Sequence, residues 1–166
     1  LDDANFGRAA SAAVHACFSN TGQECSALTR LLIPESNRDE IVEIVATKVS
    51  NYSVGDPLDE SNRCGPVASK KQQDTVTHYI QTAIDEGATL IAGGLGSPEG
   101  LDLGYFVKPT AFADVTREMT LFREEVFGPV LSITTFSSIE EAIDLANDSD
   151  YGLSGGVWSG DEERAM

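Results

Sequence analysis

Short apolar runs alternate along this chain with stretches whose apolar residues recur every three or four positions, and that alternation restricts the fold more than any other feature. Phe6, Ala10, Ala13, Val14 and Cys17 stand at helical spacing across residues 3–18, with Asp2 or Asp3 where a helix cap is expected. Residues 27–33 read as a buried strand stopped by Pro34. Ser36 is placed to cap a second helix running to about Ser50, with Glu40 near the capping-box position. Residues 69–86 repeat the helical pattern through Val76, Tyr79, Ile80 and Ile84, ended by Gly87. Strand character returns at residues 88–94, at 105–115 around Pro109, from Val130, and at 153–159, while 137–149 read as a short helix opened by serine. Helices interleaved with strands point to parallel pairing with helices on both faces of the sheet. The fold class is therefore α/β: a mostly parallel sheet flanked by helices, Rossmann-like in its layering. No G-x-G-x-x-G opens a helix, so the glycines of GGLGSPEG read as a turn rather than a phosphate cradle.

At 166 residues the chain is long enough for one domain with a proper core. It lacks an initiator Met, and DEERAM reads as a helix start, its acids well placed against the helix dipole. Both suggest a piece of a longer chain. The net charge of 11 − 27 = −16 argues against nucleic-acid and anionic-membrane partners, which would repel such a surface. No apolar run approaches the ~20 residues of a membrane span, and no secretory signal is visible, so a cytoplasmic protein is expected. Three cysteines, Cys17, Cys25 and Cys64, make an odd set without disulfide-framework spacing. Cys17 reads as core filling. Cys64, in a loop beside Gly65-Pro66, is expected to be exposed and oxidisable. His15 and His78 have no partners at ligand spacing, and no metal site is expected. Trp158 is expected in the core of the last strand.

Two stretches carry chemistry. In NTGQECS, Cys25 follows a Gly-Gln turn between a helix and a strand. A nucleophilic thiol must be reachable and ionisable, and a loop with nearby N–H donors favours both. The N–H of Cys25 itself can stabilise an oxyanion forming on a carbonyl that its sulfur attacks. A buried structural cysteine is the competing reading, since free Cys is among the most buried residue types. Asn20 is expected to hold the turn through its side chain. In FREEVFGPV, Glu124 and Glu125 precede an aromatic residue and a Gly-Pro turn. A carboxylate there can accept the two hydroxyl hydrogen bonds of a ribose, although two solvated acids before a strand have the same pattern.

Together the stretches change the odds. NTGQEC followed about a hundred residues later by EEVFGPV resembles the aldehyde dehydrogenase superfamily. So do the GDPLD loop, Cys64-Gly65-Pro66 before a helix, GYFVKPT, and NDSDYGLSGGVWS, all in the family's order. The resemblance implies that Cys25 is the nucleophile, forming a thiohemiacetal and then a thioester as hydride passes to NAD or NADP. It implies that Glu125 binds the nicotinamide ribose, that Phe127 contacts the nicotinamide side, and that Gln72 makes a weaker ribose contact. It further implies that residues 1–166 are an incomplete nucleophile-bearing domain. The family's Glu-Leu-Gly-Gly base, its oxyanion asparagine, its cofactor domain and its oligomerisation strand do not occur in this sequence, so the segment alone is expected to be inactive. The complete protein is expected to take a small-molecule aldehyde as substrate and to be a homo-oligomer. Two alternatives stay open: a non-catalytic truncated module, and an acylating enzyme that releases its thioester to coenzyme A.

Overall fold

The computed structural model describes residues 1–166. Four strands form one sheet in the order β1-β4-β3-β2, with β1 spanning Arg30–Pro34, β2 Thr89–Ala92, β3 Thr110–Ala113 and β4 Val130–Phe136. β1 and β3 both run parallel to β4, and only β2 is antiparallel to its neighbour. The helices are α1 (Phe6–Phe18), α2 (Arg38–Ser50), α3 (Lys70–Asp85), α4 (Thr120–Arg123), α5 (Ile139–Asn147) and α6 (Glu162–Ala165).

The central strand shows why the sheet is covered on both sides. Leu131 and Ile133 of β4 join Ala111 and the apolar faces of α1 and α2 in one core. Val130 and Phe136 join Phe112, Val76 and Ile80 of α3, and Leu145 of α5 in a second core. Successive side chains point to opposite faces, so these two cores are the outer contacts of a helix–sheet–helix sandwich. The polar residues buried in it are matched. Ser132 Oγ donates to Thr29 O at 3.1 Å and Thr134 Oγ1 to Val115 O at 2.7 Å. No helix is long and apolar enough to cross a membrane.

Several sequence expectations shift in detail. Asn5, rather than Asp2 or Asp3, caps α1, its Oδ1 accepting the Arg8 N–H at 3.0 Å. The two aspartates instead meet Arg164, at 2.8 Å for Asp2 and 3.1 Å for Asp3. Ser36 does not cap α2. A 3-10 turn, Glu35–Asn37, intervenes, and the Ser36 hydroxyl bonds to Asn37 Oδ1 at 2.9 Å. Ser69 caps α3 and Ser138 caps α5, each accepting an N–H of the first turn. The first strand begins at Arg30 rather than Ala27, because its ladder with β4 starts at the Arg30–Ser132 pair. Of residues 105–115 only Thr110–Ala113, beyond Pro109, join the sheet.

The largest departure is the stretch 153–159, which is not a strand. It pairs with none of the four strands of the sheet, and Leu153, Val157 and Trp158 are exposed. Trp158 is thus not a core residue. A strand pattern in sequence becomes a strand only where another backbone pairs with it.

Candidate active site

The loop from α1 to β1 is held under backbone strain. After the helix, Asn20, Thr21 and Gly22 all take left-handed conformations, with φ of 49°, 57° and 69°. For a β-branched residue such as Thr21 this is an outlier, costing on the order of 1–3 kcal/mol. Strain of that size persists only where surrounding contacts determine the path. Here they do. Asn20 Nδ2 donates to Gln23 O at 3.0 Å, the structural role expected of it. Thr21 is buried and its hydroxyl reaches Gly65 O at 3.3 Å. Gln23 Oε1 accepts the Ala68 N–H at 2.8 Å.

Gly22 makes the decisive contact. A Cβ on it would sit 2.2 Å from Gly128 O and 2.7 Å from Pro129 N. The loop bearing Cys25 is thus pressed against the backbone of the FGP turn, and the two motifs, about a hundred residues apart in sequence, become one surface. The thiol of Cys17 adds a tie, donating to Val130 O at 3.4 Å.

Cys25 itself is exposed. The turn around it closes through the Ala27 N–H to Glu24 O at 3.0 Å, so the Cys25 N–H is not used in closing it. No helix starts at Cys25; the chain continues to β1. The other two cysteines are buried. Cys64 was expected at the surface, but it pairs with Val54 in an isolated bridge and packs into the core against α1 and α2. Burial pushes its thiol up to about 11 and the Cys17 thiol higher still. A raised acid pKa favours the neutral form in the fold. That contribution is complete below the ordinary thiol pKa of about 8.5 and is lost as pH rises toward the folded value. The urea midpoint should therefore fall between about pH 9 and 11, and a Cys64→Ala variant should show a shallower decline. An unchanged slope would remove Cys64 as the cause.

The second motif forms an irregular turn between α4 and β4. Glu124 and Glu125 are exposed, Val126 is buried, and Phe127 takes a φ of 53° with its ring 38% exposed. Gln72 of α3 reaches this turn, its Nε2 donating to Val126 O at 3.2 Å and Phe127 O at 2.9 Å. Tyr79 of the same helix donates its hydroxyl to Glu124 Oε2 at 2.8 Å. That hydrogen bond raises the phenol to about 12. The structure thus places Glu125 and Phe127 on one turn, with Gln72 of α3 committing its amide N–H groups to that turn's carbonyls rather than leaving them free for a ribose, and Gly22 brings the Cys25 loop against it. Tyr79 escaped the sequence reading because its helical spacing marked it only as an apolar-face residue. Two surface hollows, one along α3 from Lys71 to Glu124 and one along α1 beside Arg63 and Trp158, lie apart from Cys25.

Comparison with known proteins gives a consistent answer. The Aldehyde dehydrogenase family profile matches residues 1–166. A Staphylococcus saprophyticus relative is 48% identical over 163 residues, covering 98% of this chain and 34% of its own length. A Mycobacterium tuberculosis aldehyde dehydrogenase solved with NAD+ is 46% identical with a TM-score of 0.96, covering 99% of this chain and 34% of its own. A cysteine-to-alanine mutant of aldehyde dehydrogenase C from Pseudomonas syringae, solved with NAD+ and octanal, has a TM-score of 0.97 at 39% identity, with 99% of this chain and 34% of that one covered. This chain therefore spans about a third of the length of the proteins it matches. On the whole-length profile match and the shared fold, the chain belongs to the aldehyde dehydrogenase family.

Proposed function

We propose that this chain supplies the nucleophile and part of the cofactor site of an enzyme that oxidises an aldehyde to a carboxylic acid with NAD or NADP. The observation that carries the proposal is the contrast among the thiols. Cys25 alone is exposed, on a strained loop packed against the turn that bears Glu125 and Phe127.

The chemistry follows from the positions. Cys25 sulfur, as thiolate, attacks the aldehyde carbon. A C–S bond forms and the carbonyl π pair moves to oxygen, giving a thiohemiacetal alkoxide. The Cys25 N–H, left over from the turn, is available to that oxygen. Collapse of the alkoxide expels hydride and leaves an acyl thioester on Cys25. Water then breaks the C–S bond, releasing the acid and returning the thiol. The nicotinamide, when bound, supplies the hydride acceptor. The residues present suit it: Glu125 offers two carboxylate oxygens to a ribose diol, and the half-exposed ring of Phe127 offers an apolar face beside it. The related structures solved with NAD+, and the one with octanal, favour this cofactor and an aldehyde substrate.

One labelling experiment tests the proposal. Limited iodoacetamide treatment of the folded full-length protein should carboxamidomethylate Cys25 well before Cys17 or Cys64, as read by peptide mass spectrometry. Aldehyde-dependent NADH or NADPH formation should disappear in proportion to Cys25 labelling. Equal labelling of the three cysteines, or activity that survives complete Cys25 labelling, would overturn it. The 166-residue chain alone is expected to show no turnover in the same assay.

A further inference from the structure

Gln72, Val76 and Tyr79 stand at i, i+4 and i+7 of α3, on one face across two turns. All three meet the turn that carries Glu125. Gln72 ties the main-chain carbonyls of Val126 and Phe127. Val76 is fully buried, and its Cγ2 would lie 2.4 Å from any Cβ at position 128, so the turn lies against the helix only because Gly128 has none. Tyr79 ties the side chain of Glu124. Glu125 falls between these fastened ends and is exposed.

We infer that α3 acts as a strap that positions Glu125: Tyr79 and Gln72 are positioning residues that hold its neighbours, and the Tyr79–Glu124 bond decides which of the two adjacent acids faces the cofactor. The inference rests on Glu125 being the ribose ligand. Phe127 is a non-glycine residue at positive φ, a conformation that surrounding contacts must maintain. The two Gln72 bonds accept that task on either side of it. At the other end, the hydrogen bond from Tyr79 leaves the Glu124 carboxylate facing α3. The phenol's raised pKa keeps it a donor throughout the neutral and mildly alkaline range. Without these ties the short turn samples more than one conformation, and the Glu125 carboxylate is spread over several positions. The Cys25 loop rests on Gly128 and Pro129, but its hydrogen-bonded anchors at Gly65 and Ala68 and the Gly128–Val76 contact involve neither Tyr79 nor Gln72, so its reactivity should change much less than cofactor binding.

The test uses the full-length protein and steady-state kinetics with NAD+ or NADP+, whichever it uses. Tyr79→Phe and Gln72→Leu should each raise the KM for the cofactor about three- to tenfold, the value of one or two hydrogen bonds. Alkylation of Cys25 without cofactor should stay within about twofold of the parent rate. Glu124→Ala should behave like Tyr79→Phe. Glu124→Gln retains an acceptor for the phenol and should recover most of that loss. Glu125→Gln should raise the KM more than any of these. If Glu125→Gln leaves the KM unchanged, the ribose reading and the strap fall together. If it raises the KM while Tyr79→Phe and Gln72→Leu do not, the ribose reading stands and the strap is overturned. A KM rise matched by an equal fall in Cys25 alkylation reports general loosening and also overturns the positioning role.

Discussion

Cys25→Ala is expected to abolish aldehyde oxidation by the full-length enzyme, lowering kcat by at least about a thousandfold, as loss of a covalent nucleophile does. The fold should not register the change. Cys25 is exposed on a turn closed by main-chain atoms three residues apart and by the Ser26–Glu24 contact, none of which involves its thiol. Its effect on unfolding should stay within about 0.5 kcal/mol, the usual range for a surface substitution. This split between activity and stability separates a nucleophile from a structural cysteine. Cys17 provides the opposite case. It is fully buried, packed in the core with Phe18 and Leu131, and its thiol is tied to Val130 O. Its removal should cost stability first. Assays of NADH or NADPH formation beside circular-dichroism melts of both variants make the comparison. Substantial turnover by Cys25→Ala would eliminate the covalent mechanism.

Gly22→Ala should be among the most damaging single methyl groups in the chain. The added carbon would overlap Gly128 O at 2.2 Å and Pro129 N at 2.7 Å, and those atoms cannot retreat freely, because Gly128 already abuts Val76. Alanine must also hold a φ of 69°, adding on the order of 1 kcal/mol. Overpacking and left-handed strain together should destabilise by about 3 kcal/mol or more. Urea unfolding measures this, with Gly152→Ala as the control, since nothing lies within 4 Å of a Cβ at that position. The control should stay within about 1 kcal/mol of the parent. If Gly22→Ala behaves like the control, the two loops are not in the contact described. If it folds at lower stability, activity should fall further than stability does, because the Cys25 loop can no longer seat on the FGP turn.

Much of the architecture was legible beforehand because periodicity reports burial directly. The helix faces through Val14 and Cys17, and through Val76 and Ile80, are buried as their spacing required. Pro34 and Pro109 stand at strand boundaries, and Gly87, at φ 91°, follows the end of α3. The misreadings share a physical cause. Capping by Asn5 instead of Asp2 or Asp3, the burial of Cys64 and the exposure of Trp158 each depend on what another segment places alongside. Local sequence records a residue's own preferences and leaves its distant neighbours unspecified.

The site divides along the same line. Sequence by itself determined the chemical inventory: a cysteine behind a Gly-Gln turn, a carboxylate pair before Phe-Gly-Pro, and helices alternating with strands, because residue type and short-range spacing encode these. Only the tertiary structure decided that Gly22 rests on Gly128, that Cys25 is exposed while Cys17 and Cys64 are buried, and that Tyr79 and Gln72 fasten the turn around Glu125. Those are contacts across tens of residues, set by how the sheet and α3 bring separated backbone segments together, and no local pattern of side chains specifies them.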